Sequence, residues 1–204
     1  MLRKISIDDG AKMIADGKPG ETYYIILDKE YVFHGNSPEK RYKIDEMNRM
    51  GLPRLPLIVP GGCVVLQKGD LIVYHYSAAA DEFFAKWVKF FENKLKSRNI
   101  PFELGHELFN AKHHDFLIPK KEPQHWWKVG THSENFAWPG LYFSCFGLVN
   151  RVNIRHIRRI TDVSTIKEPA GLRAGGITSE DLEIWFLEFM EETYKERPIS
   201  LDNK

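Results

Sequence analysis

Apolar positions along the chain fall into short alternating or clustered runs and two longer stretches with helical spacing. Near the start, Ser6-Ile7-Asp8-Asp9 offers a capping box, with the serine hydroxyl accepting from a first-turn amide and Asp9 reaching back, so a short helix is expected there. The β-branched and aromatic run Tyr23-Tyr24-Ile25-Ile26-Leu27 is broken by Asp28-Lys29-Glu30 and resumes at Tyr31-Val32-Phe33-His34-Gly35, which predicts a hairpin. Ser37-Pro38 combines an N-cap residue with proline at the first helical position, introducing a helix to about residue 48 that stops before Gly51-Leu52-Pro53. Extended pieces follow at 57–59, 63–66 and 71–76, separated by the turn formers Pro60-Gly61-Gly62 and Lys68-Gly69-Asp70.

Ser77 caps a long helix on which Phe83, Phe84, Trp87, Phe90, Phe91 and Leu95 recur at helical spacing, ending near Asn99-Ile100-Pro101. Strands are expected at 102–104, 114–118, 126–130 and 141–149. Thr178 or Ser179 then caps a last helix carrying Leu182, Trp185, Phe186, Phe189 and Met190. Strands grouped with a few helices indicate an α+β fold, a mixed or antiparallel sheet flanked by helices, with 1–204 as one domain.

Composition narrows the function classes. Hydrophobic residues at 43% and charged residues at 28% suit a globular protein, and 13% aromatics suit a filled core or an apolar pocket. A formal charge of +1 gives no global attraction to nucleic acid or an anionic membrane, so neither is expected as a partner. Two cysteines, Cys63 and Cys145, sit in apolar runs, which argues against a disulfide framework and favours a reducing, cytoplasmic compartment. No apolar run approaches the roughly 20 residues that cross a bilayer, and the first residues lack a signal-peptide pattern.

Three loops carry a composition that packing does not require. Gly61-Gly62 lets a ligand approach backbone amides, Lys128-Val129-Gly130-Thr131 sets a lysine beside a glycine at the end of an apolar strand, and 169–179 is a glycine-rich approach to a helix N-terminus. His106, His113, His114, His125 and His132 cluster in sequence, but without i,i+4 spacing, and His113-His114 on a strand would fall on opposite faces, so no metal site is expected. Arg151, Arg155, Arg158 and Arg159 offer a basic stretch suited to an acidic partner or simply to solvent.

In order and spacing these pieces resemble the catalytic domain shared by octanoyltransferases, lipoate-protein ligases and biotin-protein ligases. Val59-Pro60-Gly61-Gly62-Cys63-Val64-Val65 is similar to the family's Arg-Gly-Gly binding loop, and Lys128-Val129-Gly130-Thr131 to its Lys-Ile-Gly-type segment. Phe146-Gly147-Leu148-Val149-Asn150 resembles the His-Gly-Leu-Ala-Leu-Asn strand. Pro169-Ala170-Gly171-Leu172 through Gly176-Ile177-Thr178-Ser179 looks closest to the octanoyltransferase Pro-Cys-Gly-Ile loop and its Gly-Val-Thr-Ser continuation. The resemblance covers about residues 22–190. It implies acyl transfer from acyl-carrier protein through a cysteine thioester to a lipoyl-domain lysine, with Lys128 as electrostatic anchor and no resident cofactor. Gly61, Gly62, Cys63, Thr131, Gly147, Leu148, Val149 and Gly171 would line the acyl site.

The departures bear on the chemistry. Ala170 stands at the position of the family's nucleophilic cysteine, and a methyl group forms no thioester. Pro60 replaces the arginine, Val65-Leu66-Gln67 lacks the family's Tyr-His, and Phe146 replaces its histidine. Four readings stay open: an introduced replacement at Ala170, a relocated nucleophile at Cys63 or Cys145, an ATP-dependent ligase-like enzyme, or an inactive protein binding an acyl group or its carrier.

Overall fold

The computed structural model describes residues 1–9, 17–34, 43–56, 63–77, 80–100, 103–106, 114–119, 126–135, 141–146 and 176–198. Gly61, Gly62, Gly147, Leu148, Val149, Ala170, Gly171 and the arginine stretch lie outside the described residues. Strands β1 (Leu2–Lys4), β2 (Thr22–Ile26), β6 (Leu71–Tyr76), β7 (Glu103–His106), β8 (His114–Pro119), β9 (Trp126–Asn135) and β10 (Leu141–Phe146) form a seven-stranded sheet in the order β1-β2-β6-β10-β9-β8-β7. The β1–β2 pairing is parallel and the others are antiparallel, so the sheet is mixed. A second, three-stranded sheet orders β4 (Arg54–Pro56), β3 (Tyr31–His34) and β5 (Cys63–Leu66) as β4-β3-β5.

The expected hairpin of β2 with β3 does not form. Asp28-Lys29-Glu30 instead carries the chain from the large sheet to the small one, and the Lys68-Gly69-Asp70 turn carries it back, so Ile26 pairs with Leu71 while Tyr31 pairs with Leu66. The two crossings are tied together: the Gly69 amide donates to the Leu27 carbonyl at 2.7 Å and the Leu27 amide to the Asp70 carbonyl at 3.0 Å. Gly69 sits at φ 91°, where a side chain would be strained. The carboxylate of Asp70 accepts from the Gln67 amide at 2.8 Å and closes the turn.

The opening capping interaction forms, with the Asp9 amide donating to Ser6 Oγ at 3.1 Å. Of the helix expected from Ser37, α1 at Ile44–Arg49 is described; Lys43, at ψ 81°, is not helical and supplies no side-chain cap, and residues 35–42 lie outside the described residues. The extended piece at 57–59 lies outside the described residues, and the strand beside β3 is Arg54–Pro56. β9 runs on to Asn135 rather than ending at Gly130, and β10 is described to Phe146.

Helices α2 (Ala80–Ser97) and α3 (Ser179–Tyr194) build the core. Phe83, Trp87, Phe91 and Leu95 of α2 recur at four-residue steps, which puts them on one stripe, and all are fully buried against Leu182, Phe186 and Phe189 of α3. Tyr24, Leu71 and Val73 supply the sheet side of this cluster. The Trp87 indole meets Phe186 edge-on at 5.6 Å and Phe189 at 5.0 Å, geometries that aromatic quadrupoles favour. Thr178 caps α3 in a full capping box with Asp181, and Arg98, just past the end of α2, pairs with the same carboxylate. Those hydrogen bonds outweigh the effect of partial burial and hold the Asp181 carboxyl below its usual range. Among the described residues no helix is long and apolar enough to cross a membrane.

Candidate functional site

Pleating assigns every strand residue to one of two faces. Val73 and Leu71 pack on α2 and α3, so Ser144 and Phe146, their register partners on β10, share the helix-covered face. The positions of His132 and Gly130 follow from the next pairing: Ser144 lies opposite His132, and Phe146 opposite Gly130. The other face carries the row Ile25, Ile72, Cys145, Thr131 and Asp115, each the Cα partner of the next.

Lys128 would belong with Gly130 on the helix-covered face if alternation held along β9. It does not hold. Phe116 of β8 pairs with Gly130, but the next β8 residue, Leu117, pairs with Lys128, so β9 contains one extra residue, Val129. Such a bulge shifts the parity of the strand. Lys128 therefore shares its face with Leu117, and hence with Asp115, Thr131 and Cys145, opposite the helices. Glycine at 130 suits the irregular step, since the absent Cβ relaxes both backbone and packing demands.

Two of the residues singled out from the sequence, Lys128 and Thr131, are thus brought to one face. Cys63 lies on β5 of the small sheet, opposite His34. Cys145 lies directly opposite Thr131, and Asp115 flanks Thr131 on the other side; sequence reading gave no role to Asp115, because nothing in its neighbourhood indicates a strand partner. The described side chains form no group of three His, Cys, Asp or Glu residues able to hold a metal ion.

On the helix side, His75 is buried, 6% exposed, and stacks on Phe83 with ring centroids 3.9 Å apart. Its Nδ1 shares a 2.9 Å hydrogen bond with Thr22 Oγ1. Burial, with a smaller contribution from the nearby Met1 ammonium, pulls its pKa down to about 4, so the ring is neutral at pH 7. It is a structural histidine, on the face away from Lys128.

No family model matches the chain, and no curated protein matches it in sequence. Solved structures do match. A lipoate-protein ligase A bound with ATP aligns at TM-score 0.68 and 15% identity over 98% of this chain and 87% of that one. A structure from an archaeal lipoylation system, a bi-partite lipoate protein ligase and its E2 lipoyl domain from Thermoplasma acidophilum, aligns at TM-score 0.66 and 14% identity, over 98% and 87%. P. falciparum LipL1 in complex with lipoate aligns at TM-score 0.63 and 11% identity, over 88% of this chain and 49% of that one. At such identities the likeness speaks for the backbone, and the chain has the α+β fold of lipoate-protein ligases.

Proposed function

We propose that the chain is one domain that activates a lipoyl- or octanoyl-type acid and delivers it to the lysine amine of a lipoyl domain, by the ATP-dependent ligase route. The bulge that brings Lys128 to the face of Thr131 carries this reading, because it sets an otherwise ordinary strand lysine on the face that also carries Thr131 and Cys145. The reported neighbours include lipoate ligases bound with ATP or lipoate and one described together with its E2 lipoyl domain, which supports the same substrate class. Ala170 favours the ligase over the thioester route, since an acyl-adenylate needs no cysteine. In this reading the Lys128 ammonium holds the carboxylate and phosphate oxygens as negative charge redistributes. By the family resemblance alone, Gly61, Gly62 and Cys63, the segment Gly147-Leu148-Val149, and Ala170-Gly171 would line the acyl site. The lipoyl domain is the acceptor, and neither nucleic acid nor a membrane is required.

One observation favours a second reading. Cys145 is the register partner of Thr131, on the face of Lys128. There its thiolate would attack the octanoyl thioester of acyl-carrier protein, release the carrier thiol, and pass the acyl group to the lysine amine, regenerating the cysteine. A lysine close by lowers a thiol pKa and would raise the thiolate fraction.

The protein, incubated with ATP, lipoate or octanoate and a lipoyl domain, is expected to give an acylated lipoyl domain by intact-mass spectrometry. Lys128→Met is expected to lower kcat/KM by about 100-fold or more, the cost of losing one stabilising donor. Product from octanoyl-acyl-carrier protein without ATP, abolished by Cys145→Ser, selects the second reading. No product and no adenylate under either regime overturns both and leaves a binding protein. Ala170→Cys, once folded, should trap an acyl-enzyme if the loop resemblance is sound.

A further inference from the structure

Three histidines separated in sequence meet in the sheet. His106 of β7 is the Cα partner of His114 on β8, and His114 is the Cα partner of His132 on β9. The strands are adjacent, so the three occupy consecutive positions of one cross-strand row and a single face. Directly opposite residues in antiparallel strands hold their Cβ atoms about 4.5–5.5 Å apart, so the outer two are about 10 Å apart with the third between them. Three imidazoles in such a row are poor neighbours if left alone, because protonation would set like charges opposite one another. They are good neighbours around a cation, for which neutral imidazole is the commonest nitrogen ligand.

The surroundings sharpen the case. Glu134, two residues along β9 from His132 in a regular stretch of the ladder, shares its face and adds a carboxylate. Ser144 follows His132 in the row. On the other side the neighbouring row is Gly130, Phe116 and Leu104, without a competing charge. The row ends at β7, an edge strand of the seven-stranded sheet. His113 and His125, the other histidines of the sequence cluster, lie outside the described residues. From this juxtaposition we propose that the His106–His114–His132 row is a binding site for one divalent transition-metal ion, Zn²⁺ in the first instance. It lies on the opposite face of β9 from Lys128 and Thr131, so it is separate from the acyl site and its test does not depend on acyl chemistry.

The purified full chain, stripped with chelator and dialysed, is titrated with Zn²⁺ by calorimetry at pH 7.5 and with Co²⁺ by visible absorption. One ion per chain is expected, with d–d bands of nitrogen and oxygen ligation. Affinity should fall as pH drops through the histidine range near 6.5. His106→Ala, His114→Ala and His132→Ala should each weaken Zn²⁺ by more than the ~10–100-fold that loss of an outer supporting partner costs. His113→Ala and His125→Ala should leave affinity within about twofold, a change of under half a kcal/mol. Wild-type protein that takes up no stoichiometric Zn²⁺ or Co²⁺ overturns the proposal whatever the variants do. So does a folded His114→Ala that binds as wild type, or equal losses in the His113 and His125 variants.

Discussion

Acid should destabilise this protein through His75 in a window set by burial of that ring. The folded-state pKa lies near 4 against 6.5 for an unperturbed histidine. Above pH 6.5 the ring is neutral in both states and contributes no pH dependence. As pH falls below 6.5 the unfolded chain binds a proton that the folded chain refuses, so stability is lost, and the loss levels off below pH 4. With those two values the penalty is about 2 kcal/mol at pH 5 and approaches about 3 kcal/mol near pH 4. The comparison protein is Thr22→Val/His75→Phe, which removes both partners of the 2.9 Å hydrogen bond together and leaves an aromatic ring to stack on Phe83. Urea unfolding at pH 7, 6 and 5 gives the loss between pH 7 and 5 for each protein. Carboxylates such as Asp181, whose pKa values are lowered in the fold, add acid sensitivity to both and cancel in the difference. The double variant should lose about 2 kcal/mol less than wild type between pH 7 and 5. Equal losses, or an NMR titration placing His75 above pH 6, would refute the reasoning.

Three further outcomes are expected. Trp87→Ala empties the centre of the α2–α3 interface, where the indole is fully buried among Phe186 and Phe189, and should cost about 3–5 kcal/mol in urea unfolding at pH 7. Thr178→Ala removes the hydroxyl that accepts from the Asp181 amide at 3.1 Å and should cost about 1 kcal/mol, with a Tm fall of a few degrees by circular dichroism. Gly17→Ala drives a Cβ into the space of the Tyr76 ring and should cost about 1–3 kcal/mol, whereas Gly17→Ala in a Tyr76→Leu background should cost measurably less.

The helices were legible because their signal is local. Phe83, Trp87, Phe91 and Leu95 declare a buried stripe by spacing alone, and Thr178 with Asp181 declares where α3 begins. Strand pairing is not local, which is why Tyr23 to Leu27 and Tyr31 to His34 read as a hairpin. Their polar spacer has hairpin length, and only the return crossing at residues 67–70 reveals that the two segments belong to different sheets. Lys128 could be picked out by residue type, yet its face could not, because Lys128 and Thr131 are an odd number of residues apart and strict alternation separates them. Only the pairing of Leu117 with Lys128 reverses that assignment. The histidines failed the tests suited to helices and single strands for a similar reason: the distances between them along the chain reflect loop lengths, while their alignment is a property of three strands at once.

The extra residue at Val129 turns the face of Lys128 into a matter of register. If β8 and β9 closed into a regular ladder with Val129 retained, Leu117 would come opposite Val129, and Trp126, Trp127 and Lys128 would exchange faces, carrying the lysine to the side of the helices. An in-frame loss of the Val129 codon has the opposite outcome. Lys128 would then directly precede Gly130 and stay opposite Leu117, so the ladder would become regular and the lysine would keep the face of Thr131. A sequence one residue shorter at this point would thus preserve the arrangement, whereas one of unchanged length whose strands slipped by a single residue would lose it.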